Sequence, residues 1–119
     1  MCDKEKIRKW DSGAVRDSAE GKNRPDLIPV ECLWRLGRLY EKGAEHYGID
    51  NWKKGIPNES YIASMMRHMM KYRMGYKDED HLAAIVFNVF GIMYNEINNG
   101  EWKDKDWEYA EINTGRTEE

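Results

Sequence analysis

The chain has 119 residues, of which 40% are hydrophobic and 34% charged, with a formal net charge of -3. That length suits one domain with a real core and excludes a wholly disordered chain. The weakly negative balance excludes a molecule basic enough throughout to grip a long polyanion such as nucleic acid.

Cys2 and Cys32 are too few and too far apart for a disulfide framework or a zinc motif. Cys32 falls in a helical pattern and is expected as a small buried residue. The charged start, Met1 to Lys6, does not resemble a secretory signal. No apolar run approaches the roughly 20 residues of a membrane span, so no membrane is expected and the location read is cytoplasmic.

Residues 1–29 lack helical periodicity and form a non-helical N-terminal arm. Gly13 to Asp17 and Gly21 to Asp26 read as two ordered turns, and Leu27-Ile28 could pin the arm to the core. Arg16, Lys22 and Arg24 bring positive charge beside glycines whose backbone N–H groups can approach an anion. The arm is therefore either a mobile terminus or a phosphate contact.

Residues 30–47 read as the first helix, with Pro29 at its start and Gly48 closing it. Leu33, Leu36, Leu39-Tyr40, Ala44 and Tyr47 keep a three-to-four spacing. Gly37 and Gly43 weaken this helix and suggest close approach of another helix or a ligand. A loop over 48–57 carries Asn51-Trp52, where the indole is either a packing anchor or a stacking surface for a base.

Residues 58–74 read as the second helix, with Asn58 as N-cap and Gly75 as the stop. Its expected apolar side is Ile62, Met65-Met66, Met69 and Tyr72. Residues 78–98 read as the third helix, capped by Asp78 or Asp80. Leu82, Ile85-Val86, Val89-Phe90, Met93 and Ile97 mark its apolar side. A short helix around Trp102 and Trp107 and a polar tail would follow. The whole predicts a single all-α domain, a bundle of three to four helices, in three parts: arm 1–29, helical core 30–98, and C-terminal segment 99–119. Met-rich and aromatic faces suit a homo-oligomer.

Polar residues inside apolar helix patterns are the candidate site. Buried Arg, His, Asp or Asn is costly unless paired or functional. Arg67-His68 interrupts the second helix. Asp78-Glu79-Asp80-His81 opens the third, and Asn88 interrupts it. His81 and Asn88 are seven apart, on one stripe, about 10 Å along the axis. Asn88 must find partners in a neighbouring helix or on a nucleobase edge. His46, in the last turn of the first helix, suits the helix dipole. Glu41 and Glu45 share a helix face and repel unless a cation lies between them, whether Arg38, Lys42 or a divalent metal; a solvated face is the common alternative. With Asp78, Glu79 and Asp80 they could form a magnesium site for phosphate chemistry.

These residues carry a resemblance. Gly13-Ala14-Val15-Arg16-Asp17, Arg24 to Pro29, Tyr40 to Gly48, Asn51-Trp52, Arg67-His68 and His81 to Asn88 resemble the phage-encoded dATP/dGTP diphosphohydrolase N-terminal family, over residues 13–97. That family is similar in outline to the MazG-like all-α nucleoside triphosphate pyrophosphohydrolases. The resemblance implies Mg-dependent cleavage of a purine deoxynucleoside triphosphate to monophosphate and pyrophosphate, in the cytoplasm of an infected bacterium. It implies Glu41, Glu45, Asp80 and His81 as catalytic residues, the first three holding Mg. Arg16, Lys22, Arg24, His46, Asn51, Trp52, Arg67, His68 and Asn88 would bind the nucleotide. The chain departs from the MazG-like pattern of acids three apart on two helices. Glu41 and Glu45 are four apart, and His81 and Ala84 stand where the second acidic pair would be. A protein that retains a nucleotide immune signal without turnover is the other reading.

Overall fold

The structure is a computed structural model and describes residues 7–104. A two-stranded antiparallel hairpin, β1 (Ile7–Lys9) and β2 (Val15–Asp17), precedes three helices. These are α1 (Val30–Tyr47), α2 (Asn58–Arg73) and α3 (His81–Asn98). Pro25–Leu27 and Asn51–Lys54 form short 3-10 turns.

Over its described residues, 7–29, the N-terminal arm holds the hairpin and one 3-10 turn but no α-helix. The first expected turn is the tip of the hairpin, closed by Gly13 N–H to Trp10 O at 2.9 Å. Every strand residue is exposed. The ladder and an Arg8 Nε bond to Asp17 O hold the hairpin. Leu27 does not pin the arm, because it is exposed, and Ile28 borders a shallow groove beside α1 and α3.

The helix ends follow local chemistry. Asp80 caps α3, its Oδ1 accepting the Ala83 N–H at 3.1 Å. Of the two expected caps Asp80 is the one used, so the helix starts at His81, three residues into the expected span 78–98. Asn58 is not a cap. It is the first residue of α2, and its Oδ1 accepts from Asn95 Nδ2 at 2.7 Å. The same Asn95 amide donates to Ile56 O at 2.9 Å, tying the start of α2 to α3. At the end of α2, Gly75 takes φ 87. Its N–H bonds Tyr72 O and the Tyr76 N–H bonds Lys71 O, which satisfies the last carbonyls. Residues 101–104 carry no helix, and Cys2, Trp107 and the polar tail lie outside the described residues.

Packing centres on the antiparallel α2–α3 pair, with α1 against α3. A Cβ at Gly91 would fall inside the ring of Tyr61, so only glycine lets that ring seat on α3. Gly37 and Gly43 behave otherwise: a Cβ at either meets nothing within 4 Å, so no neighbour among the described residues explains them. The Tyr61 seat sets the rotation of α2. Its inward face is Tyr61, Ser64, Met65 and His68, while Ile62, Met66 and Met69 of the expected apolar side are exposed. On α3 the buried residues are His81, Ala83, Ala84, Asn88 and Gly91. Leu82, Val86, Val89, Phe90 and Met93 remain at least partly open. Cys32 is exposed rather than buried, because it borders the same open groove. The buried apolar set among the described residues is only Leu36, Tyr61, Ala83 and Ala84.

Replacing Gly91 by Ala should destabilise the fold by about 1–3 kcal/mol through overpacking against Tyr61. A urea titration that leaves the midpoint unchanged would show that the ring has another place to go.

Candidate functional site

The seam between α2 and α3 holds a chain of polar side chains. His68 from α2 and His81 at the first position of α3 face each other, Nδ1 to Nδ1, at 2.9 Å. His81 is 2% exposed. Its Nε2 lies 2.8 Å from Asp78 Oδ1. A carboxylate can only accept, so His81 donates Nε2–H; with both rings neutral, its Nδ1 carries the lone pair. The neutral His68 ring then donates Nδ1–H to that lone pair. The hydrogen bond from His81 holds Asp78 below its ordinary carboxylate value, which keeps it an acceptor. Burial holds His68 below its ordinary imidazole value. Glu79 lies in the same turn. His68, Glu79 and His81 bring one ligand atom each to within 4.8 Å of one another. No other three His, Cys, Asp or Glu side chains converge in this way among the described residues.

Asp80 stands beside this group but is engaged elsewhere. Arg35 of α1 grips it in a two-pronged ion pair, with Nη2–Oδ1 at 2.8 Å. The Arg35 hydrogen bond holds Asp80 below its ordinary carboxylate value. Asp80 thus caps α3 and clasps α1 to it.

A second feature is an aromatic cleft between α1, the Asn51–Lys54 turn and α3. Trp52 stands edge-on to Tyr94, with centroids 4.8 Å apart. Tyr40 packs on Phe87 at 4.8 Å and on Trp52 at 6.4 Å. These rings separate two adjoining cavities of about 230 and 290 Å³. Tyr40, Trp52 and Phe87 line both; Asn51, Asp50, Gly48 and Tyr47 line the larger. Half-buried Trp52 is therefore both a packing anchor and a cleft wall.

The residues expected from sequence divide accordingly. His68 and His81 come together. Asn51 and Trp52 share the cleft. Asn88 is buried in the seam, where its Nδ2 donates to Ala84 O at 2.7 Å, a bond within its own helix. Glu41 and Glu45 are exposed on α1, and Glu41 pairs with Arg38 at 2.9 Å. They converge with Asp80 in no common coordination sphere within the chain. Arg67 is exposed next to inward His68. Arg24 is bound to its neighbour Asp26, Arg16 and Lys22 are exposed in the arm, and His46 stacks beside Tyr47 at 5.9 Å.

Sequence reasoning did not find Asp78 as the partner of His81, although the i, i+3 spacing across a helix start signals such a contact. It also missed Tyr40, Phe87 and Tyr94 as cleft walls, a grouping made by helix packing alone.

A family model described as dATP/dGTP diphosphohydrolase, N-terminal, matches residues 12–106. The chain belongs to this family. The match takes in the arm from Ser12, all three helices and every candidate residue above. No curated protein and no solved structure matches the chain. Magnesium is the ion expected from the sequence of this member of the dATP/dGTP diphosphohydrolase, N-terminal family. Its preference for an octahedron of oxygens does not fit the residues a single chain gathers. Among the described residues the acids are dispersed, and the one convergent group contains two imidazoles.

Acid should destabilise the fold in two stages. A base such as His68, lowered by folding, stabilises fully above its unfolded value of 6.5 and loses that contribution as pH falls below it. Asp78 and Asp80 stabilise above the ordinary carboxylate value of 3.8 and lose that contribution as pH falls through their lower folded values. In metal-free buffer the denaturation temperature should drop as pH falls below about 6.5 and again below about pH 4. His68→Gln should flatten the first limb alone. A first limb that survives this substitution would assign it to another group.

Proposed function

We propose that this member of the dATP/dGTP diphosphohydrolase, N-terminal family binds a purine deoxynucleoside triphosphate in the aromatic cleft and hydrolyses it. One observation carries this reading. The cleft of Tyr40, Trp52, Phe87 and Tyr94 offers flat apolar walls beside the polar Asn51, in a chain whose family is named for dATP and dGTP. A base needs such faces for stacking and a few placed polar groups for orientation. Arg67, Arg16 and Lys22 are exposed cations that could meet phosphates, and Arg24 could join them on leaving Asp26.

A second copy of the chain belongs to this reading. Val30, Leu33 and Trp34 lie exposed on α1, Trp34 to 71%. The apolar stripes of α2 and α3 are also open. Apolar surface of this extent marks an association face. Glu41 shares the α1 face of Val30, Trp34 and Gly37. Glu45 follows one turn on, so acids from two copies would meet where these faces pack. An oxygen-rich cation site would then be assembled between copies. Light scattering should give a mass of at least two chains, and Trp34→Glu should reduce it to one. A monomeric parent protein would remove this part of the reading.

Retention of an intact nucleotide without turnover is the second reading, favoured by the dispersal of Glu41, Glu45 and Asp80 within the chain. Incubation with dATP, dGTP and magnesium, followed by chromatography of products and heat-released ligand, separates the two. Under the first reading products form, Glu41→Gln abolishes turnover by at least about a hundredfold, and the substitution leaves Kd within about twofold. Trp52→Ala should weaken binding about tenfold or more under both, because one base–aromatic stack contributes about 1–3 kcal/mol. Unchanged affinity in Trp52→Ala would place the nucleotide elsewhere.

A further inference from the structure

The mismatch between magnesium and the one convergent ligand group has a specific chemical meaning. We propose that His68, His81 and Glu79 form a binding site for one divalent transition-metal ion of the zinc class, oriented by Asp78.

Donor type is the first argument. Imidazole suits zinc and its transition-metal neighbours, whereas magnesium takes oxygen ligands and retains water. The three side chains come from α2, from the α2–α3 turn and from the first position of α3, so folding itself assembles the set. Spacing is the second. Two imidazole nitrogens, each about 2.1 Å from one ion, lie about 3.0 Å apart at a right angle and about 3.4 Å apart at a tetrahedral angle. His68 Nδ1 and His81 Nδ1 are 2.9 Å apart, so small rotations admit an ion. The ligand oxygen of Glu79 lies within 4.8 Å of these nitrogens. This side chain is exposed and free to swing in by roughly 1 Å, as a bond of about 2.0–2.2 Å requires.

Orientation is the third argument. Asp78 accepts the Nε2–H of His81 at 2.8 Å. A carboxylate on the far nitrogen is the usual way a metal-binding imidazole is held in the correct tautomer. It aims the Nδ1 lone pair of the nearly inaccessible His81 at the position between the two rings. With no ion present, His68 donates its Nδ1–H to that lone pair. On ion entry His68 gives up the Nδ1 proton and carries one at Nε2, so both Nδ1 lone pairs face the ion and no net proton is released. Three protein ligands leave coordination positions open on the exposed Glu79 side, where water or an anionic oxygen would bind.

The test is a cobalt titration of chelator-treated protein without nucleotide, followed by visible absorption. One equivalent per chain should produce saturable ligand-field bands. Zinc should displace them, and a large excess of magnesium should not. Asp78→Asn should weaken binding about 10–100-fold. Glu79→Gln should weaken it at least about tenfold with an unchanged melting temperature, since Glu79 is exposed. His68→Gln should abolish the bands. Absence of saturable bands in the parent protein overturns the proposal, as does parental affinity in Glu79→Gln. Because no nucleotide is present, neither outcome depends on the hydrolase reading.

Discussion

The seating of the Tyr61 ring on Gly91 sets almost everything else in this molecule. An aromatic ring against a backbone with no Cβ fixes the rotation of α2 relative to α3. The rest of the seam is then filled by Ala84, by Asn88 bonded within its own helix, and by the His68–His81 pair. Small residues permit the close approach, and close approach juxtaposes two imidazoles that stand 13 positions apart in the chain. The same rotation turns Ile62, Met66 and Met69 outward. The polar site and the exposed apolar faces are thus two results of one packing choice.

The α2–α3 turn adds a division of labour among neighbouring acids. Asp78 holds His81, Glu79 stands near both imidazoles, and Asp80 joins the α3 cap to Arg35. Four consecutive residues, Asp78 to His81, therefore connect all three helices or their ends. Charge-assisted bonds of this kind are shorter and stronger than neutral ones, although exposure of Arg35 and Asp80 limits what their pair contributes.

Much of the fold was legible in the sequence because its helix ends are chemically marked. α1 begins after Pro29 and ends before Gly48 where the spacing and these residues indicate, and Gly75 closes α2 as expected. Helix orientation was harder to read. In α2 and α3 the longest apolar stripes suggested the inward faces. The chain instead packs through Tyr61, Ser64, Ala84, Asn88 and Gly91, which a hydrophobic pattern ranks low. The importance of His68 and His81 was readable from polar residues in apolar surroundings. Their mutual contact depends on inter-helix register, which no single helix encodes. Trp52 was recognisable as ambiguous, and its two roles coexist once Tyr40 and Tyr94 surround it.

The clasp between Arg35 and Asp80 ties helix docking to helix initiation. The Asp80 carboxylate accepts the Ala83 N–H in the first turn of α3 while binding a guanidinium on α1. Fraying of the first turn of α3 therefore loosens α1 as well, and the wall of the aromatic cleft that α1 supplies through Tyr40 moves with it. The α2–α3 pair carries most of the inter-helix packing, and α1 docks on α3 through a smaller interface that this clasp reinforces. Tyr40 and Trp52 join α1 to the rest of the fold at the cleft, so a ligand held between them would tie α1 down at a second place.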